Sequence, residues 1–172
     1  MGNIKKNYIF SIMYQMLNII VPLITTPYIS RVLGVAGVGY NSYVSSIVNY
    51  FSLFVILGTY TYGQREIGAN QKNRGEYTKI FLNIFFIKIL LGIVVILVYL
   101  FTIPLHEEYL RVLFAIRVMT LLANAIDISW FLQGMENFQV TATRQMMIRV
   151  IGATSIFIFV KNPTQLPLYA GI

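Results

Sequence analysis

Cysteine is absent from the 172 residues, and histidine and tryptophan occur once each. Without cysteine there is no disulfide framework and no thiolate metal site. With one histidine, no set of nucleophile, histidine and acid can be assembled, so an enzyme has little to stand on. The lone His106 in "HEE" lacks the second histidine at helical spacing that a zinc motif needs. "GVAGVG" does not match the dinucleotide fingerprint. Neither a cofactor nor a metal is therefore expected. Charge is scarce as well. Only 11% of the residues are charged, against about 25% in a soluble domain.

What is present is apolar: 57% of the chain is hydrophobic and 15% aromatic. This composition belongs to a membrane protein. The net charge of +7 would suggest nucleic acid in a soluble protein. Here the basic residues sit where loop charges set membrane topology, so no nucleic-acid partner is expected. The opening "MGNIKKNYIF" imitates a secretory signal. Its apolar run is too long, however, and no small-x-small cleavage site follows. Lys6 also stands where a myristoylation pattern needs Ser or Thr. The segment reads as a retained first transmembrane helix.

A spanning helix needs about 20 mostly apolar residues. The pattern predicts an all-α polytopic bundle in one transmembrane domain, 1–172, with spans at 8–30, 40–62, 80–103, 110–133 and 141–160. "RVLGVAGVG" is expected to be a glycine-rich turn, and "GQREIGANQKNRGEYTK" a polar, basic loop. With the N-terminus inside, Lys5, Lys6, Arg65, Lys72, Arg74, Lys79 and Arg144 face the cytoplasm. Arg31, Arg111 and Lys161 face outward. The positive-inside rule therefore favours a cytoplasmic N-terminus. Trp130, near the inner end of the fourth span, is expected in an interfacial aromatic belt. "LPLYAGI" resembles the entry to a sixth helix, which suggests the N-terminal part of a longer protein.

Nearly every span carries a polar stripe. Ser11, Gln15, Asn18, Pro22 and Thr25 share an arc of roughly 80 degrees on the first. Asn41, Ser45, Asn49 and Ser52 do so on the second, and Arg117, Thr120, Asn124 and Asp127 on the fourth. Gln145, Arg149 and Gly152 line up on the fifth, and Lys88 with Gly92 and Tyr99 on the third. Such stripes either pack helices together or line a water-filled cavity. A mid-membrane charge costs about 2.5 to 3.5 kcal/mol even on the lenient insertion scale, so it usually faces a bundle interior or an aqueous path. Lys88 lies roughly 12 Å from the inner end of its span, and Arg117 roughly 10 Å from the outer end of its own.

Lys88, Arg117, Arg149, Asn18, Asn49 and Asn124 are the candidate cavity residues. An intramembrane ion pair that fixes helix register is the alternative for the charges. Asp127 is expected to organise the inner end near Trp130, and Arg31 to act as an interfacial anchor or to brace the outer loop. Pro22 frees the carbonyl of Asn18 on the polar stripe and suits a gating bend.

"TPYISRVLGVAGVGYNSYVSSIVNYFSLFVILGTYTYGQREI" resembles the first hairpin of bacterial polysaccharide-biosynthesis flippases of the Wzx type. "AIDISWFLQGMENFQVTATRQMMIRV" resembles their fourth-to-fifth helix junction. These flippases belong to the superfamily that also holds multidrug exporters. The resemblance implies a two-lobed helix bundle in the bacterial cytoplasmic membrane, of which this chain is part of the N-terminal lobe. It implies movement of undecaprenyl-pyrophosphate-linked oligosaccharide repeat units for surface polysaccharide biosynthesis. Membrane lipids, polysaccharide polymerase and glycosyltransferases are the implied partners. Lys88, Arg117 and Arg149 would then attract the pyrophosphate. A cation-coupled multidrug exporter of the same superfamily is the nearest alternative, and a non-transporting membrane fragment a further one. As part of a lobe, the chain alone is expected to be inactive.

Overall fold

Helix is the only regular structure among the described residues. Apolar segments in lipid have no water to satisfy their backbone, so each must close its own hydrogen bonds. The computed structural model describes residues 2–103 and 107–172, with side chains from Ile9 onward. The helices are α1 (Gly2–Ile56), α2 (Thr59–Ala69), α3 (Arg74–Thr102), α4 (Glu108–Ile126), α5 (Ser129–Gly134), α6 (Phe138–Phe159) and α7 (Leu166–Gly171). A short 3-10 turn, Pro163–Gln165, precedes α7.

Three helical stretches among the described residues are long and apolar enough to cross a membrane: Ile9–Ala69, Arg74–Thr102 and Glu108–Gly134. The first is 61 residues long, enough for two crossings at about 20 residues each. These stretches cover the first four expected spans to within one residue at the ends. The fifth expected span is a 22-residue helix, α6. It is not among the three, because Arg144, Arg149 and several amide and hydroxyl side chains dilute its apolar residues. The chain is a multi-pass membrane protein.

Several boundaries differ from those the sequence suggests. The nine-residue glycine turn is not a loop. Helix continues on both sides of one non-helical residue, Gly34, at φ 70° and ψ 174°. That conformation is essentially confined to glycine, so a single residue breaks the helix. Arg31 consequently lies exposed on α1, before the break, rather than in a loop. Helical φ/ψ persists through Pro22 and Pro27. The second span ends at Ile56 rather than Tyr62, because Leu57 and Gly58 both take positive φ before α2 begins. The fourth span is interrupted at Asp127 and Ile128, between α4 and α5.

The chain forms two compact units, 1–42 with 137–172 and 43–136. In the first unit, the Tyr28 hydroxyl donates to the Val160 carbonyl at 2.8 Å. The Tyr28 ring lies 4.7 Å from that of Phe157. These contacts tie α1 to the end of α6.

The second unit is built in rungs. Phe51 and Phe114 flank Tyr99 at ring separations of 5.2 and 6.0 Å. The Tyr99 hydroxyl, fully buried, donates to the Phe114 carbonyl at 2.9 Å. Further along, Val55, Gly92 and Ala125 meet at one level. The last rung holds Ile67, Ile84 and Trp130, with Tyr77, Phe81 and Phe131 around them. Residue numbers rise together on α1 and α4 through these rungs and fall on α3. α3 therefore runs antiparallel to both, as consecutive spans must. Trp130 is fully buried in this rung, stacked at 5.6 Å on Phe81. It is a core residue, not the interfacial anchor the sequence suggests, because the helix break before it turns its ring into the aromatic cluster.

Candidate functional site

Small residues bring the helices of the second unit close enough for their polar groups to meet. A Cβ added at Gly92 would stand 2.6 Å from the Ala125 Cβ, so α3 and α4 approach here as only glycine permits. One turn before Gly92 on α3 is Lys88, only 1% exposed. Its ammonium donates to the Asp127 carbonyl at 2.6 Å. That carbonyl belongs to the interruption after α4, where the next helical amide is missing. The Asp127 carboxylate bonds to the start of the next helix. It accepts from the Ser129 hydroxyl at 2.6 Å and from the Ser129 amide at 3.3 Å. Asp127 thus closes both sides of the break, through its carbonyl and through its side chain.

Asn124 donates from its amide to the buried Ser52 hydroxyl at 2.9 Å. The polar stripes of the second and fourth spans meet at this pair. Arg117, two turns earlier on α4, is half-buried. Asn49 is exposed in a depression of about 280 Å³ with Ser46, Tyr50 and Leu53.

In the first unit, the Arg149 guanidinium lies over the Tyr14 ring at 5.9 Å, within cation–π range. Asn18 follows Tyr14 by one turn of α1 and is half-buried. Its side-chain oxygen is covered, with no hydrogen-bond partner among the described residues. Pro22, another turn on, is exposed, whereas Thr25 is buried and donates to the Val21 carbonyl at 2.9 Å.

Lys88 is therefore brought together with Asp127, and Asn124 with Ser52. Ser52, Gly92, Tyr99 and Ser129 take part in these arrangements without standing out as site residues in the sequence. Ser52, Gly92 and Tyr99 lie on the stripes read from the sequence, and Ser129 carries a local signal of its own. Asp-x-Ser in "IDIS" is the pattern of an Asx-turn, in which the carboxylate binds the amide two residues on.

Residues 4–172 match the family described as polysaccharide biosynthesis protein. The chain belongs to that family. Relatives from the family's field carry names that agree. A candidate O-antigen transporter of Escherichia coli (strain K12) is 25% identical over 170 residues, covering 96% of this chain and 40% of that protein. A candidate O-antigen transporter of Shigella dysenteriae is 24% identical over 163 residues, covering 94% of this chain and 41% of that one. The chain spans about two fifths of the length of these curated relatives. No solved structure matches it.

Proposed function

We propose that the chain works in a flippase that carries undecaprenyl-pyrophosphate-linked oligosaccharide repeat units across the bacterial cytoplasmic membrane for surface polysaccharide. It performs no covalent chemistry in this reading. The observation that carries it is the family match over residues 4–172. The charge distribution supports it: basic residues outnumber acids within the apolar stretches, which suits an anionic substrate. Arg117 and Arg149 are each read as ligands for the pyrophosphate, through charge-assisted hydrogen bonds. Asn18, Asn49 and Asn124 are read as partners for sugar hydroxyls, and Pro22 as a gating position. A polymerase and glycosyltransferases would receive and supply the glycan.

A cation-coupled exporter would need a carboxylate open to its cavity. Asp127 is the one acid in the interior of the apolar stretches, where basic residues outnumber acids, and this supports the flippase.

The test is complementation. The complete reading frame should restore surface polysaccharide to a strain lacking its own flippase. Arg117→Ala should lower export by at least about tenfold, the scale of one lost charged hydrogen bond. Wild-type export by Arg117→Ala at equal membrane abundance would remove the anion-ligand role.

A further inference from the structure

We propose that the two helix breaks of the second unit, at Leu57–Gly58 and Asp127–Ile128, form one hinge, and that Lys88 is the positioning residue that holds it closed. The proposal does not depend on which substrate is carried.

The breaks lie at one level. Val55, Gly92 and Ala125 meet in a single rung. From there α1 runs two residues to its break and α4 runs two residues to its own, while antiparallel α3 reaches Lys88 in one turn. Beyond the breaks, α2 and α5 are locked to each other by reciprocal notches. A Cβ at Gly63 would strike the Trp130 ring at 2.4 Å. A Cβ at Gly134 would strike the Ile67 Cβ at 2.8 Å. The Gln71 side-chain amide also donates to the Gly134 carbonyl at 2.7 Å. The two short helices therefore move as a pair or not at all.

α3 is the fixed post of this hinge, because it is helical without interruption from Arg74 to Thr102. Lys88 reaches from that post to the Asp127 carbonyl at 2.6 Å. Both α1 and α4 end at this level, and the C-terminal end of a helix dipole favours a cation. A buried ammonium is costly without such partners. Its removal leaves the Asp127 carbonyl without its charged donor at the moving joint. When the pair swings, Trp130 must leave Phe81 of α3.

Trp130 is the sole tryptophan of these 172 residues, so in this chain its fluorescence reports the hinge directly. The experiment uses the 172-residue chain in nanodiscs, with acrylamide as quencher and circular dichroism as the measure of helix. Lys88→Met should raise the Trp130 quenching constant at least about threefold with helix content retained, because a lost charged hydrogen bond shifts an open–closed equilibrium by more than that. Lys88→Arg should stay near wild type, since guanidinium still offers a charged donor. Unchanged quenching in Lys88→Met would overturn the proposal. So would Lys88→Arg quenching as strongly as Lys88→Met, because packing rather than the cation would then be the cause. If Lys88→Met does not fold, Lys88→Gln is compared with Lys88→Arg. Greater quenching in the uncharged variant supports the pin, and equal quenching overturns it.

Discussion

Gly92 shows how one missing side chain sets a helix spacing. Its Cβ would stand 2.6 Å from that of Ala125, so Gly92→Ala must push α3 from α4. Overpacking of this kind costs about 1–3 kcal/mol, read as a lower unfolding temperature in detergent. Adding Ala125→Gly should recover part of the loss, because it removes the opposing methyl. The Ser52–Asn124 hydrogen bond is a milder case. Intramembrane pairs of this type are worth about 0.6 kcal/mol, and a double-mutant cycle on Ser52→Ala and Asn124→Ala should return a coupling near that value. Polar stripes at 3.6-residue spacing made both residues visible in the sequence. Their pairing was not, because periodicity places a residue on a face and says nothing about the helix it meets. Lys88 illustrates the same gap. Its depth in the membrane follows from counting residues, but its acceptor is a carbonyl at a helix break 39 residues away.

Elements follow the apolar runs closely, since a run in lipid must be helical. Their ends do not. A helix end inside an apolar run leaves no composition signal, so the breaks at Leu57–Gly58 and Asp127–Ile128 hide within spans that read as continuous. Gly34 is the clearest joint. Nothing lies within 4 Å of a Cβ built there, so Gly34→Ala meets no steric obstacle and its penalty is conformational. At φ 70° and ψ 174° that penalty is about 1–3 kcal/mol. Thermal unfolding of Gly34→Ala against Gly39→Ala, where the space is equally open and φ is not positive, isolates it. An equal effect at both positions would show that the break does not need glycine.

At the scale of the molecule, the absence of cysteine from these 172 residues makes their topology directly measurable. Val35 is 91% exposed beside the first break, and Lys72 is exposed in the turn between α2 and α3. With the N-terminus cytoplasmic, an impermeant maleimide should label Val35→Cys in right-side-out spheroplasts. It should reach Lys72→Cys only after lysis. The reverse pattern would invert the orientation expected from the loop charges.

The sequence by itself determined that the chain is helical and membrane-embedded and that consecutive spans alternate in direction. Composition, run length and the cost of unsatisfied backbone in lipid are local or additive, and a linear reading captures them. Motif likeness carried the family, which the match over residues 4–172 bears out. Only the tertiary structure decided that Trp130 is core, that α2 and α5 interlock through glycine notches, and that Lys88 closes the break at Asp127. Each of these depends on which side chains from distant helices arrive at one level. That is settled by packing in three dimensions, where a glycine is an invitation to approach and a broken helix offers a carbonyl to whichever cation can reach it.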